Sequence, residues 1–169
     1  VQTVLGNDGD YRISVSLVPF NGQVNLGPVL RGKFNAIYPH GTANVNCVDL
    51  PASVYSSLTM SRTLPLPMTA HADTFSTTTQ STSWVAIQGH SNSSGKLVNN
   101  WCPPSTGNVV TVMGTDVATL QARINALEGI GATSINAGLR WGLTLIDPAQ
   151  RPLVSELVGA GAVPPAFDG

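Results

Sequence analysis

The chain has 169 residues, enough for one domain, and a hydrophobic content of 42 % is sufficient for a core. Only 10 % of the residues are charged, against roughly 25 % in an average soluble protein, and Ser, Thr, Asn and Gly replace them, as in secreted and cell-surface proteins. The net charge is −1, with two lysines and six scattered arginines. This balance excludes nucleic acid and anionic membranes as partners.

The residues Tyr11 to Phe20 alternate between apolar and polar, with Ile13, Val15 and Leu17 on one face. Alternation of this kind predicts a β-strand. Asn21-Gly22 follows and favours a tight turn, so Val24 to Leu26 is predicted to return as the second strand of a hairpin.

Residues 27–105 are rich in Ser, Thr, Asn and Pro, with short apolar bursts such as LPLPM and WVAI. We interpret this segment as a long insertion within a single domain that covers residues 1–169. Cys47 and Cys102 lie in it, in no metal-binding spacing. A disulfide between them is the favoured interpretation, and two buried thiols are the alternative.

A clearer pattern begins after the insertion. Val109 to Met113 is predicted to form an apolar strand in one sheet with Tyr11 to Pro19, and Thr115-Asp116 to cap a helix. That helix is predicted to run from Val117 to Leu127, since Val117, Leu120, Ile124 and Leu127 form one apolar stripe. Gly129 is placed to end it.

A second helix is predicted to begin near Ile135. The residues predicted for its buried face are Ile135, Leu139, Leu143 and Ile146, and Asp147-Pro148 closes the helix because proline disfavours a helical conformation in the residue before it. The two helices are predicted to pack on the sheet. The expected fold class is therefore α/β.

Tryptophans supply the remaining candidate binding residues. Trp84 and Trp101 could stack on sugar rings as a carbohydrate-binding platform, or pack beside the disulfide, and Trp141 is predicted to pack beside its helix face. The Gly89-His90-Ser91 turn imitates a hydrolase nucleophile elbow, but no histidine follows His90 to act as the downstream base. The sequence therefore favours a protein that is not an enzyme.

Four sequence blocks carry a family resemblance: LVPFNGQVN, NNWCPPS, INALEGIGATSINAGLRWG and LIDP. In this order they resemble the von Willebrand A-like region of TadG-like proteins of the tight-adherence (Flp) pilus system. The resemblance implies a partial von Willebrand A-like (Rossmann-like) sheet with two C-terminal helices. It also implies a non-catalytic structural or interaction module of pilus assembly or surface adhesion, with other pilus or envelope proteins as partners.

The resemblance further implies an extracytoplasmic location, in the periplasm or at the cell surface. No apolar run in the sequence reaches the roughly 18 to 20 residues that span a bilayer, so we expect no membrane contact by this segment. Its start at Val1, without an initiator Met or signal peptide, predicts a segment of a longer, membrane-anchored precursor.

The family's metal-ion site implies one ligand here, Thr133. The Asp-x-Ser-x-Ser motif that supplies the other ligands does not occur in this sequence. We therefore expect no cofactor in this chain, with Mg²⁺ binding only where a full-length domain supplies the missing ligands. From the residues alone, Thr133 is instead predicted to cap the helix that begins near Ile135.

Overall fold

The computed structural model describes residues 14–37, 45–68, 102–103, 105–129 and 133–159. These residues form a mixed α/β structure with small sheets and several helices. The strands are β1 (Val15–Leu17), β2 (Ala36–Ile37), β3 (Leu66–Pro67) and β4 (Thr111–Gly114). The α-helices are α1 (Gly27–Arg31), α2 (Val117–Asn125), α3 (Ile135–Ile146) and α4 (Arg151–Val158), with short 3-10 helices at Ala52–Tyr55, Thr106–Asn108 and Pro148–Gln150.

Strands β1 and β4 pair in an antiparallel sheet, so the predicted association of these two segments is confirmed. The register shifts between the pairs Val15–Gly114 and Leu17–Thr111. At this irregularity Met113 has a positive φ of 46°, and its amide donates to the Ser16 hydroxyl at 3.0 Å. A side-chain oxygen thus takes the place of a carbonyl partner in the sheet.

The predicted hairpin between β1 and Val24–Leu26 is wrong. The chain bends at Asn21, whose side-chain oxygen accepts from the Gln23 amide at 3.0 Å. Asn25 then forms a parallel bridge with Val109. The local hydrogen bonds of Asn21 turn the chain away from β1 before a second strand can pair with it.

The second sheet pairs β2 with β3 in parallel, and Val48 bridges Met68 in antiparallel fashion beside it. All of these residues belong to the segment predicted as an insertion. Its described parts pack in the same core as the C-terminal helices, with the buried side chains Leu30, Phe34, Val48, Val54, Met60, Leu66 and Met68 around Trp141, Leu145 and Leu153.

Helix α2 begins as predicted, with Asp116 as its N-cap. The Asp116 carboxylate accepts from the Thr119 amide at 2.7 Å. Hydrogen bonds from the Thr119 side chain and then from its amide lower the pKa of Asp116. The helix ends at Asn125, short of the predicted Leu127 and Gly129. Beyond that end, the Asn108 side chain donates to the Glu128 carbonyl and accepts from the Glu128 amide, both at 2.8 Å. These bonds hold the chain out of the helical path.

Only part of the predicted α2 stripe is buried. Leu120 is fully buried and lies against Gly114 of β4, where an added Cβ would come within 2.8 Å of the leucine side chain. Leu127, at the other end of the stripe, is exposed. Helix α2 therefore rests on the sheet through its middle.

Helix α3 has the predicted bounds, and the chain leaves it at Asp147-Pro148. Asp147 accepts from the Ala149 amide at 2.9 Å and so starts a 3-10 turn that leads directly into α4. Leu153 and Val154 of α4 are buried in the core. This last helix has too short an apolar pattern to be recognised from the sequence.

Candidate interaction surface

Helix α3 exposes the side that the sequence predicted to be buried. Ile135, Leu139, Leu143 and Ile146 have exposed fractions of 61, 62, 53 and 67 %. Spacings of four, four and three residues place them on one side of the helix. The prediction that they pack on the sheet is wrong, and we call these four residues the apolar face of α3.

The opposite side of α3 explains why. Trp141 is almost fully buried, and its ring meets Phe34 edge-on with the centroids 5.2 Å apart. Ala137 and Leu145 are buried on the same side. A tryptophan buries more apolar surface than a leucine. The side that carries Trp141 therefore faces the core, and the aliphatic stripe faces outward.

Exposed apolar residues from two other segments lie beside the helix. Phe20 packs on Gly138 of α3, where an added Cβ would meet the phenyl ring at 2.5 Å, and it is 42 % exposed. Leu58 is 97 % exposed. Its loop is held to α3 by Arg140, whose Nη1 donates to the carbonyls of Ser57 at 2.9 Å and Leu58 at 3.3 Å.

The outward side of α3 carries no charge. Arg140 is the only charged residue between Ile135 and Ile146, and its side chain is buried. Asn136 and Gly142 complete the outward side. A contiguous apolar surface without charge on a helix is typical of a surface that binds another protein.

A cleft of about 350 Å³ opens on another side of the fold. Trp141 and Ala137 of α3 line it, together with Val24, Val48, Leu50, Tyr55, Gly22, Gln23, Asp49 and Ser134. The side-chain Nε2 of Gln23 donates to the Asp49 carboxylate. The described residues that line it include no histidine or cysteine.

Comparison of the chain with protein-family models, with curated proteins and with solved structures gave no match. Interpretation of the surface therefore depends on its own chemistry and on the sequence resemblance.

Thr133 lies exposed just before α3. The N-cap residue is Ser134, but its hydroxyl makes no capping hydrogen bond, because it donates instead to the Asn136 side chain at 2.6 Å. The Asn136 side-chain oxygen accepts from the Ala137 amide at 3.0 Å. The prediction that Thr133 caps α3 is wrong.

Among the described residues, no three His, Cys, Asp or Glu side chains are grouped to hold a metal ion. The assignment of Thr133 as a metal ligand stays a prediction from the resemblance.

Cys47 and Cys102 form the predicted disulfide, with Cα atoms 5.8 Å apart. Both cysteines are fully buried beside Val45. Next to the bridge, the side-chain nitrogen of buried Asn25 donates to the Pro103 carbonyl at 2.7 Å. The bridge thus connects the segment before β3 with the segment that leads into β4.

Trp84 and Trp101, the predicted carbohydrate-binding pair, lie outside the described residues, as does the Gly89-His90-Ser91 turn. Within the described ranges, no helix combines the length and apolar character needed to cross a bilayer. The sequence missed the apolar face of α3 as a surface, although apolar residues on both sides of this helix were a signal that one side would remain uncovered.

Proposed function

We propose that this chain is a non-catalytic structural or protein-interaction module of a bacterial pilus-assembly or surface-adhesion system. The apolar face of α3 is its docking surface, and other pilus or envelope proteins are the class of partner. The observation that carries the proposal is the exposure of four large aliphatic side chains on one uncharged helix side.

Burial of apolar surface contributes about 25 cal/mol per Å² of favourable free energy. Binding of a complementary partner over the exposed Ile and Leu side chains is therefore stabilised. Monomeric proteins rarely leave such contiguous apolar patches exposed without a function. A helix side of this kind is also the usual form in which one protein docks on another through a groove or a second helix.

Two further observations support the assignment to an extracytoplasmic pilus or adhesion system. The first is the order of the sequence blocks shared with TadG-like von Willebrand A-like regions. The second is the Cys47–Cys102 disulfide, since disulfides persist in oxidising compartments such as the periplasm and the cell surface.

Site-specific photo-crosslinking in the producing cells tests the proposal. A photoreactive phenylalanine analogue replaces Leu139 on the apolar face, and the matched control carries it at Val29 of α1, which is 66 % exposed. We expect adducts with envelope or pilus components from position 139, identified by mass spectrometry, and none of these from position 29. Equal adduct patterns at the two positions, or adducts with cytoplasmic proteins alone, would contradict the proposed function.

A further inference from the structure

We infer that a second copy of this chain covers the apolar face of α3, so that two copies pair through this helix about a twofold axis. This inference rests on the proposed function, because it takes the same face as the docking surface. It adds the identity of one occupant and the symmetry of the contact.

Charge favours a second copy as the occupant. In a twofold contact the same surface patch of both copies meets, so a charged group on the patch is brought close to the identical group of the second copy. The outward side of α3 has no charged residue to repel its counterpart, because Arg140 points into the fold. A surface that selected a different partner by charge complementarity would carry charges to match.

The shape of the face also suits close approach of two helices. Gly142 lies on the outward side near Leu139, Leu143 and Ile146, and among the described residues nothing beyond its chain neighbours and the local helix backbone lies within 4 Å of the position its Cβ would occupy. Helix axes pack about 8 to 10 Å apart, at the shorter distance where the contact residues are small. Gly142 therefore provides a shallow place into which a leucine of the second copy fits.

The available area approaches that of a standard protein interface. The four residues of the apolar face, each more than half exposed, present roughly 400 Å² of apolar surface, an area within the range of the largest and often functional patches on monomers. Leu58 and Phe20, on the segments beside α3, raise this to roughly 700 Å² per copy, close to the roughly 800 Å² per partner of a standard interface. A weak to moderate dimer is the expected result.

Sedimentation equilibrium of the whole oxidised chain, from low micromolar to millimolar concentration, tests the inference. We expect a transition from the 17.6 kDa chain mass to twice that mass. Leu139→Asp and Leu143→Asp place a carboxylate in the contact and should each weaken the dimer at least about tenfold, the equivalent of about 1.4 kcal/mol. Val29→Asp introduces the same charge at a similarly exposed apolar position on α1 and should dimerise like the parent chain.

Circular dichroism of each variant shows whether its fold is intact. A parent chain that stays monomeric over the whole range would overturn the second-copy inference, and so would a dimer that both α3 variants leave unchanged. Neither result depends on the photo-crosslink at position 139. If the chain stays monomeric and position 139 forms adducts with another envelope protein, the proposed function stands and the second-copy inference fails. If the chain dimerises and position 139 forms no such adducts, the second-copy inference stands and the proposed function fails.

Discussion

Arg140 and Arg62 differ in how many hydrogen bonds their guanidinium groups make. Arg140 is buried, and only its Nη1 donates to protein oxygens, while Nε and Nη2 have no hydrogen-bond partner among the described residues. Arg62 is partly exposed, and it donates through both terminal nitrogens to Glu156 of α4, at 2.9 and 3.2 Å. Its Nε also donates to the Lys33 carbonyl at 3.0 Å. The surface arginine is therefore the better satisfied of the two.

The cluster around Glu156 gives a pH-dependent prediction. Hydrogen bonds from Arg62 and then from Lys33, whose Nζ lies 3.0 Å away, lower the pKa of Glu156 from 4.5 to about 2. Because the folded-state pKa is depressed, the stabilisation is present above about pH 4.5 and is lost as the pH falls toward 2. We expect Glu156→Gln to lower the melting temperature modestly at pH 6, since the pair is exposed.

This difference between Glu156→Gln and the parent chain should shrink steadily below pH 4.5 and vanish near pH 2. Thermal melts across this pH range measure it, and Glu128→Gln, at an exposed position outside this cluster, is the control. A difference that is constant with pH would show that the carboxylate charge plays no part.

At the scale of elements, the sequence predicted the helices better than the direction in which they face. Asp116 fixed the start of α2 and Asp147-Pro148 the end of α3, because capping and proline effects are local. The outward orientation of α3 was not predictable from periodicity. Leu139 and Leu143 lie on one side and Trp141 and Leu145 on the other, and periodicity cannot choose between two apolar sides. Contacts with residues far away in the chain, such as Phe34 against Trp141, decide which side is buried.

Local sequence pattern also failed to predict two other features, the pairing of Val24–Leu26 and the position of Leu58 beside α3. Local pattern predicted correctly that β1 and β4, nearly one hundred residues apart, share a sheet, but it wrongly added Val24–Leu26 as a hairpin partner of β1. The Asn21-Gly22 turn signal does not reveal that Asn25 pairs with Val109 instead. Leu58 has no periodic pattern around it, so its place beside α3 follows only from the Arg140 hydrogen bonds to its loop.

Substitutions in α2 and α3 test the observed orientation. Leu120→Asp buries an unpaired carboxylate against the sheet and should destabilise the fold severely. Leu143→Asp places the charge in solvent and should change the free energy of unfolding of the monomer by no more than about 1 kcal/mol, as should the control Gln121→Asp. Urea unfolding at a concentration where the chain is monomeric provides the measurement. Equal, severe losses at positions 120 and 143 would mean that the aliphatic side of α3 is buried after all.

At the scale of the whole molecule, the core joins segments that are distant in the chain. Trp141 of α3 meets Phe34, Gln150 donates to the Met60 carbonyl at 2.7 Å, and the Leu26 amide donates to the Asn46 carbonyl at 3.2 Å. The segment 45–68 has few apolar residues of its own in periodic order. Its stability therefore depends on contacts with the rest of the chain and on the bridge that closes it.

The Cys47–Cys102 disulfide should consequently dominate the stability of the molecule. Its cysteines are 55 residues apart in sequence, and cross-linking a loop of this length restricts the unfolded chain enough to stabilise the fold by about 4 kcal/mol in the chain-entropy model. We expect the double variant Cys47→Ala/Cys102→Ala to lose most of that amount in urea unfolding. Reductant should destabilise the parent chain similarly and leave the double variant unchanged, which separates loss of the bridge from other effects of the reagent.

The intact mass of the parent chain should be lower by two hydrogens than that of its reduced form. If iodoacetamide modifies both cysteines in the unfolded, unreduced protein, the bridge does not form and the case for an oxidising compartment loses its physical basis.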